Sequence, residues 1–184
     1  MCKMFQDKPW PECQDTLLQA WNMKPDRAEP LYQLAKIHRL NGNPRLGYMF
    51  AKMAADIPYP ANDILFIDEN VYAWMVIDEF ASTAFYMGDF QNGYYACEIL
   101  IGKINKGQIP PEHHERIRSN HSAYADKLRE IAAQELAAKQ TTKEAQEQAK
   151  KRRLEQQKKN NESKKIAKNR SKEKARRRAK ASQA

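Results

Sequence analysis

The side chains that could do chemistry fall into four groups. His113, His114, Glu115 and His121 stand close together in the sequence. His114 and His121 are two helical turns apart and share a face. A zinc site wants ligands at i, i+4 or from several elements, with partners behind them. This spacing reads as incidental histidines at a helix start, where Glu112 complements the helix dipole, and no metal is expected. Asp63, Asp68, Glu69, Asp78 and Glu79 form an acidic cluster. Paired carboxylates run acid–base chemistry when buried at suitable separation. No nucleophile accompanies these, and capping by Asp68 together with surface charge accounts for them, so no catalytic residue and no cofactor is assigned. Cys2, Cys13 and Cys97 are odd in number, widely separated and without CxxC spacing. They point to free or buried thiols, a reducing compartment and a cytoplasmic location.

The fourth group is the C-terminal tail. From Lys139 to Ala184 there are 18 Lys and Arg against 5 Asp and Glu, a net +13, whereas residues 1–138 hold 14 against 18, a net −4. The overall +9 therefore belongs to the tail, and a uniformly basic nucleic-acid-binding domain is excluded. Lys150, Lys151, Arg152 and Arg153, then Lys164 and Lys165, then Arg176, Arg177 and Arg178 form basic clusters suited to a polyanion. Binding of that kind is salt-sensitive and independent of base sequence. No aromatic residue interrupts the tail, so it offers no base stacking, and it has no apolar face for an anionic membrane surface. A solubilising extension without a ligand is the plainer reading of the same composition.

These groups must be positioned by helices. All 3 Trp, 8 Tyr and 6 Phe precede residue 130, and glycines and prolines stand between periodic apolar segments rather than inside them. The spacing predicts helices over Glu12–Met23, from about Leu31 to His38 with Asp26 as its cap, over Gly47–Ala55, Asp68–Tyr86, Phe90–Lys103 and Glu112–Glu130. Ile64–Ile67 reads as a buried connector rather than a strand. No run reaches the roughly 18–20 apolar residues of a membrane span, and MCKMFQDKPW lacks the apolar core of a secretory signal. The expected organisation is an N-terminal segment over 1–11, a helical domain over 12–130 and a Lys/Arg-rich helical or disordered tail over 131–184.

The helices come in pairs. Leu31, Leu34, Ala35, His38, Gly42, Gly47, Ala51 and Ala54 define one register. Ile77, Phe80, Ala81, Ala84, Gly88, Phe90, Gly93, Cys97 and Leu100 define a second, 46 residues later. The pattern is that of tetratricopeptide units, whose usual period is about 34 residues, with residues 57–70 as an insertion. The expected fold is all-α, with tetratricopeptide-like antiparallel helix pairs in a right-handed α-α superhelix; an ordinary helical hairpin bundle is the alternative. In such arrays the first helix of each pair lines a groove. That places Tyr32, Lys36 and Arg39, with Glu29, on one groove-lining helix, and Asp78, Ser82 and Phe85, with Met75 and Tyr86, on the next. Lys36 and Arg39 suit a peptide carboxylate, and Tyr32 and Phe85 offer aromatic contact area. A solvated face with local ion pairs is the competing reading of these positions.

Residues Ala20–Tyr32 (AWNMKPDRAEPLY), QLAKIHR, YMFAKMA, DIPYPANDILFID, VYAWMVIDEFASTAFYMGDF and ERIRSN, taken in order, resemble the helical, tetratricopeptide-like region found C-terminal to family 2 glycosyltransferase domains. The resemblance covers roughly residues 12–128. It implies a helical scaffold associated with a glycosylation system, whose partner is a glycosyltransferase or another glycosylation component. The family's catalytic residues lie in an α/β domain, for which this sequence has neither the strand–helix alternation nor an Asp-x-Asp motif, so none is carried over. The leading expectation is a non-catalytic protein-interaction scaffold with a polyanion-binding tail. The alternatives are a glycosyltransferase-related protein, the C-terminal portion of such an enzyme, and a nucleic-acid-binding protein driven by the tail.

Overall fold

The computed structural model describes residues 9–63 and 65–181, and within that span all side chains except those of Lys158, Ile166, Ala167 and residues 169–181. Among the described residues the chain is all-helical, without strands. The α-helices are α1 (Trp10–Met23), α2 (Glu29–Leu40), α3 (Pro44–Ala55), α4 (Val76–Ala84), α5 (Phe90–Asn105) and α6 (His114–Ala181). Two compact units divide the chain, Met1–Glu130 and Ile131–Ala184. No helix among the described residues is long and apolar enough to cross a membrane.

Proline sets three of the helix starts. α1, α2 and α3 each carry a proline in their first positions, where the missing N–H costs no hydrogen bond and φ is already helical. Asp26 does not cap α2. The N-cap position is Ala28, whose N–H donates to the Tyr72 hydroxyl at 3.0 Å while that hydroxyl donates to Glu29 at 2.7 Å. A side chain from a later segment thus does the work expected of a local one. Asp68 does act at a helix start, accepting from the Asn70 N–H at 3.1 Å.

The long helix expected over Asp68–Tyr86 comes in three parts. A π-helical turn, Val71–Met75, leads into α4, and a 3-10 turn, Phe85–Met87, ends it. The wide turn bonds the Val76 N–H to the Val71 carbonyl. It therefore brings two residues five apart, Val71 and Val76, into the same apolar cluster, while Trp74 enters a second cluster. Met75 and Phe80 pack against both. The α4 segment is thus a shared wall. The first cluster lies toward α1, α2 and α3, and is centred on Leu31, Leu34 and Ala51. The second lies toward α5 and the start of α6, around Leu100, Ile117 and Tyr124. Burying each leucine contributes about 2 kcal/mol.

Two helical hairpins share one local design. Gly42 and Gly88, at φ 75° and 72°, occupy the left-handed conformation that a tight helix exit requires. The next residue then donates back across the turn, Asn43 to His38 at 2.8 Å and Asp89 to Ala84 at 3.1 Å. Five residues after each turn glycine comes a buried glycine, Gly47 or Gly93. A methyl on Gly47 would sit 3.1 Å from the Ala35 carbonyl and 3.2 Å from Thr83 Cγ2. A methyl on Gly93 would overlap the Tyr124 ring. That ring is buried and pinned by its hydroxyl, which donates to the Ala81 carbonyl at 2.6 Å.

The connection after α3 departs from expectation. Ile64 lies outside the described residues, and the neighbouring apolar side chains are not buried: Leu65 is 67% exposed and Phe66 93%, with Phe66 at φ 62°. The segment is held through polar groups instead. Arg27 donates to the Phe66 carbonyl at 2.6 Å and to Asp63 at 3.2 Å, and Lys24 donates to Asp63 at 2.6 Å. Arg27 also grips Glu29, so that carboxyl is held below its ordinary value although its burial pushes the other way.

Two glycines separate close approach from mere helix propensity. Gly93→Ala, forced against Tyr124, is expected to lose about 1–3 kcal/mol. Gly102→Ala, in the middle of α5 with nothing within 4 Å of the added methyl, is expected to gain about 0.5–1 kcal/mol. Urea unfolding followed by circular dichroism measures both, and equal effects would refute the packing account.

Candidate functional site

The positions singled out on α2 and α4 form two adjoining arrangements. The first is a charged ladder. The Tyr32 side chain is buried, and burial, with the Glu79 and Asp78 carboxylates nearby, pushes its phenol up to about 12. The Lys36 ammonium stands over its ring at 5.9 Å. Arg39 donates to both oxygens of Glu79, at 2.7 and 2.8 Å. On the other side of α4, Arg116 of α6 donates to both oxygens of Asp78, at 2.9 and 2.7 Å. Both carboxylate residues are nearly buried, at 7% and 4% exposure for Asp78 and Glu79. A carboxylate so placed needs charged, bidentate partners to offset its lost hydration.

Arg39 is therefore committed inside the domain rather than offered to a peptide carboxylate. Of the two cations read on this face, Lys36 is the one outside that pairing. Asp78 and Glu79, likewise, are each engaged through both oxygens by a guanidinium group of a neighbouring helix.

The second arrangement is an aromatic depression of about 150 Å³, lined among others by Ser82, Phe85, Tyr86, Asn120 and Ala123. Phe85 meets Phe90 and Tyr124 edge-to-face, each at 5.3 Å, which fixes its ring as a wall. Tyr86 is 67% exposed. Ser82 joins the two arrangements, since Arg116 reaches its hydroxyl at 3.4 Å. Such a depression suits one apolar or amphipathic side chain, with Ser82 and Asn120 as polar edges. The other two groove candidates point elsewhere: Glu29 serves Arg27 and Tyr72, and Met75 packs into the core.

Glu79 enters the sequence reading only as one of an acidic cluster, and that reading misses Arg116 and Asn120. The only signal for the last two is their spacing with Ala123, at i, i+4 and i+7 on one helix face, and that spacing does not say which helix they meet.

The histidines have structural partners. His113 packs on Trp74 with ring centres 4.9 Å apart, the His114 ring bonds the Ile109 carbonyl at 2.7 Å, and His121 contacts Glu98 and stacks on Tyr94 at 4.8 Å. Among the described residues no group of three or more His, Cys, Asp or Glu is placed to hold a metal. Cys13 and Cys97 are buried free thiols, and burial pushes that of Cys97 up to about 12.

In the second unit, Lys150, Lys151, Arg152, Arg153, Lys164 and Lys165 are exposed on α6. The side chains of Arg176, Arg177 and Arg178 lie outside the described residues.

His38 gives the domain a pH dependence. Its ring is 4% exposed, stacked on Phe50 at 5.5 Å and met edge-on by Trp10 at 5.4 Å. Neither ring nitrogen has a hydrogen-bond partner, and burial lowers its pKa below the ordinary 6.5. The unfolded chain then takes up a proton that the folded chain refuses. This stability is present above pH 6.5 and is lost as pH falls below it. His38→Phe is expected to flatten the stability profile between about pH 7 and 5, by up to about 1.4 kcal/mol per pH unit. Parallel profiles for the two proteins in urea titrations would disprove this.

Removing the Arg39 guanidinium strands a buried carboxylate. Arg39→Ala is expected to cost about 3 kcal/mol, and adding Glu79→Gln to recover most of it. Thermal unfolding of the single and double variants checks the coupling.

No protein-family model, curated protein or solved structure matches the chain, and its function has to be read from its own residues.

Proposed function

We propose that residues 12–130 form a non-catalytic protein-interaction scaffold of tetratricopeptide-like type, and that the basic tail adds electrostatic attachment to a polyanion. The observation that carries the scaffold reading is the structural repeat. Ala35 and Ala81, Gly42 and Gly88, Gly47 and Gly93, and Ala51 and Cys97 stand at equivalent places 46 residues apart. The turn glycines share one left-handed conformation, and the other positions are all buried. Helix pairs built alike stack alike, and stacked pairs present their first helices on one surface. Here those helices are α2, α4 and the start of α6, which carry the charged ladder and the aromatic depression. The ladder is internally paired, so the depression at Ser82, Phe85 and Tyr86 is the docking point and Lys36 the accessory charge.

The partner class follows from the resemblance to regions that accompany family 2 glycosyltransferase domains: a glycosyltransferase or another glycosylation component. The test is a direct binding measurement between the full chain and a separately purified family 2 catalytic domain. Tyr86→Ala combined with Asn120→Lys is expected to weaken that binding about tenfold or more at unchanged helicity. Unaltered affinity would remove the depression from the proposal. Nucleotide-sugar turnover by the chain alone would replace the scaffold with an enzyme.

A further inference from the structure

The charges of α6 beyond Glu130 are not spread evenly around its axis. At about 100° per residue, Lys139, Lys143, Lys150, Arg153, Lys164 and Lys168 fall within one sector of roughly 80°, and all six are exposed. No carboxylate between Lys139 and Lys168 lies in that sector. The acidic residues of the same stretch, Glu144, Glu147, Glu155 and Glu162, share a second sector of roughly 80°, centred about 130° away. Other lysines accompany them: Lys151 follows Glu147 by four residues, Lys159 follows Glu155 by four, and Lys165 follows Glu162 by three, all neighbour spacings on a helix. The acid-bearing sector thus carries its own cations, while the basic stripe meets carboxylates only toward its N-terminal end, where Glu135 precedes Lys139 by four residues and Glu147 lies four from Lys143 and three from Lys150; Arg153, Lys164 and Lys168 have none at those spacings. It extends along about 44 Å of helix.

We infer that this stripe is a rail for a phosphodiester backbone, the face along which the tail lies against nucleic acid. This rests on the tail reading given above and deepens it. Charge complementarity selects the occupant. Gln146, Gln157 and Asn161 share the stripe, and such amides donate to phosphate and sugar oxygens. Leu154, at the edge, is its only large apolar residue, too little to hold a helix in a membrane interface. An acidic helical partner would need an apolar seam to fix its register, and the stripe offers none. A phosphate backbone needs only regular charge, because release of its counterions drives the binding. Six contacts give a log–log salt slope of about −5 on a duplex and about −4 on a single strand.

The test compares two full-chain variants of equal charge. Lys150→Gln, Arg153→Gln and Lys164→Gln empty the stripe; Lys151→Gln, Arg152→Gln and Lys159→Gln remove the same charge elsewhere on the helix. Fluorescence anisotropy over a potassium chloride series follows binding to a labelled DNA duplex, an RNA duplex and a single strand, with helicity checked by circular dichroism. The stripe variant is expected to bind at least tenfold more weakly and to have its slope reduced by about 3. The other variant should lose less than threefold. Equal losses would overturn the rail and leave the polyanion-binding tail standing. A variant combining both triples that binds like the parent would overturn the tail reading and the rail together. Binding to phosphatidylserine vesicles without binding to any of the nucleic acids would also overturn the rail. The ratio of slopes on duplex and single strand tells which form of backbone the stripe follows.

Discussion

The domain depends on how closely its helices approach one another at two glycines, where an added methyl would press on its neighbours at Gly47 and overlap a ring at Gly93. Gly47 lets α3 come within contact of the α2 backbone and of Thr83, and Gly93 gives the Tyr124 ring the space beside α5. The turn hydrogen bonds at Gly42 and Gly88 aim each returning helix so that its glycine arrives at the crossing. Local turn chemistry and long-range packing are therefore one constraint. A chain with the same apolar pattern but larger residues at 47 and 93 would hold its helices farther apart and leave voids around Leu34 and Leu100, and each void of methyl size costs about 1 kcal/mol.

That closeness has a polar consequence. With α2 on one side and α6 on the other, the outward positions of α4 at Asp78 and Glu79 lose most of their water. A carboxylate survives there only with a fitted partner, and each has a bidentate guanidinium from a different helix. Such pairs add little net stability, since desolvation consumes most of the attraction. What they supply is register. If α2 or α6 slipped by one turn along α4, a buried carboxylate would be stranded, and that penalty is far larger than the net gain of the pair. Arg39 and Arg116 therefore specify which face of each helix meets α4, and this fixes where Ser82, Phe85 and Asn120 come together.

Much of the architecture was legible because it rests on local chemistry. Glycines and prolines at segment ends marked the breaks, and the apolar spacing of Leu31, Leu34 and Ala35 or of Ala81 and Ala84 marked the buried faces. The failures share a cause. Asp26 is a good capping residue, but the start of α2 is completed by Tyr72, far along the chain. Ile64–Ile67 is apolar, yet its neighbourhood is tied down by Arg27 and Lys24 acting on a carbonyl and a carboxylate, so Leu65 and Phe66 stay in water. Arg39 looked available because its partner lies 40 residues away. Composition cannot reveal such pairings, since it does not say which helix lies beside which. The extra residue in the turn at Val71–Met75 was hidden for the same reason, because only contact with two clusters at once demands it.

The division of charge between the two units follows from the same physics. In the domain, Arg27, Arg39 and Arg116 face fitted carboxylates in partly buried settings, where dissolved salt screens weakly. Added salt leaves such pairs nearly intact, so the domain keeps its register over a wide range of ionic strength. On α6 beyond Glu130 the described lysines and arginines are exposed, and their attraction for any polyanion weakens within a Debye length of about 8 Å at physiological ionic strength. One unit thus keeps its register through charges that are partly sheltered from salt, while the other offers charges whose effect salt controls. A polyanion held by the tail as proposed is thus released by ionic strength without loss of the pairing that sets the face of α2 and α4. The two attachments proposed for this protein are for that reason separable by a change of solvent alone.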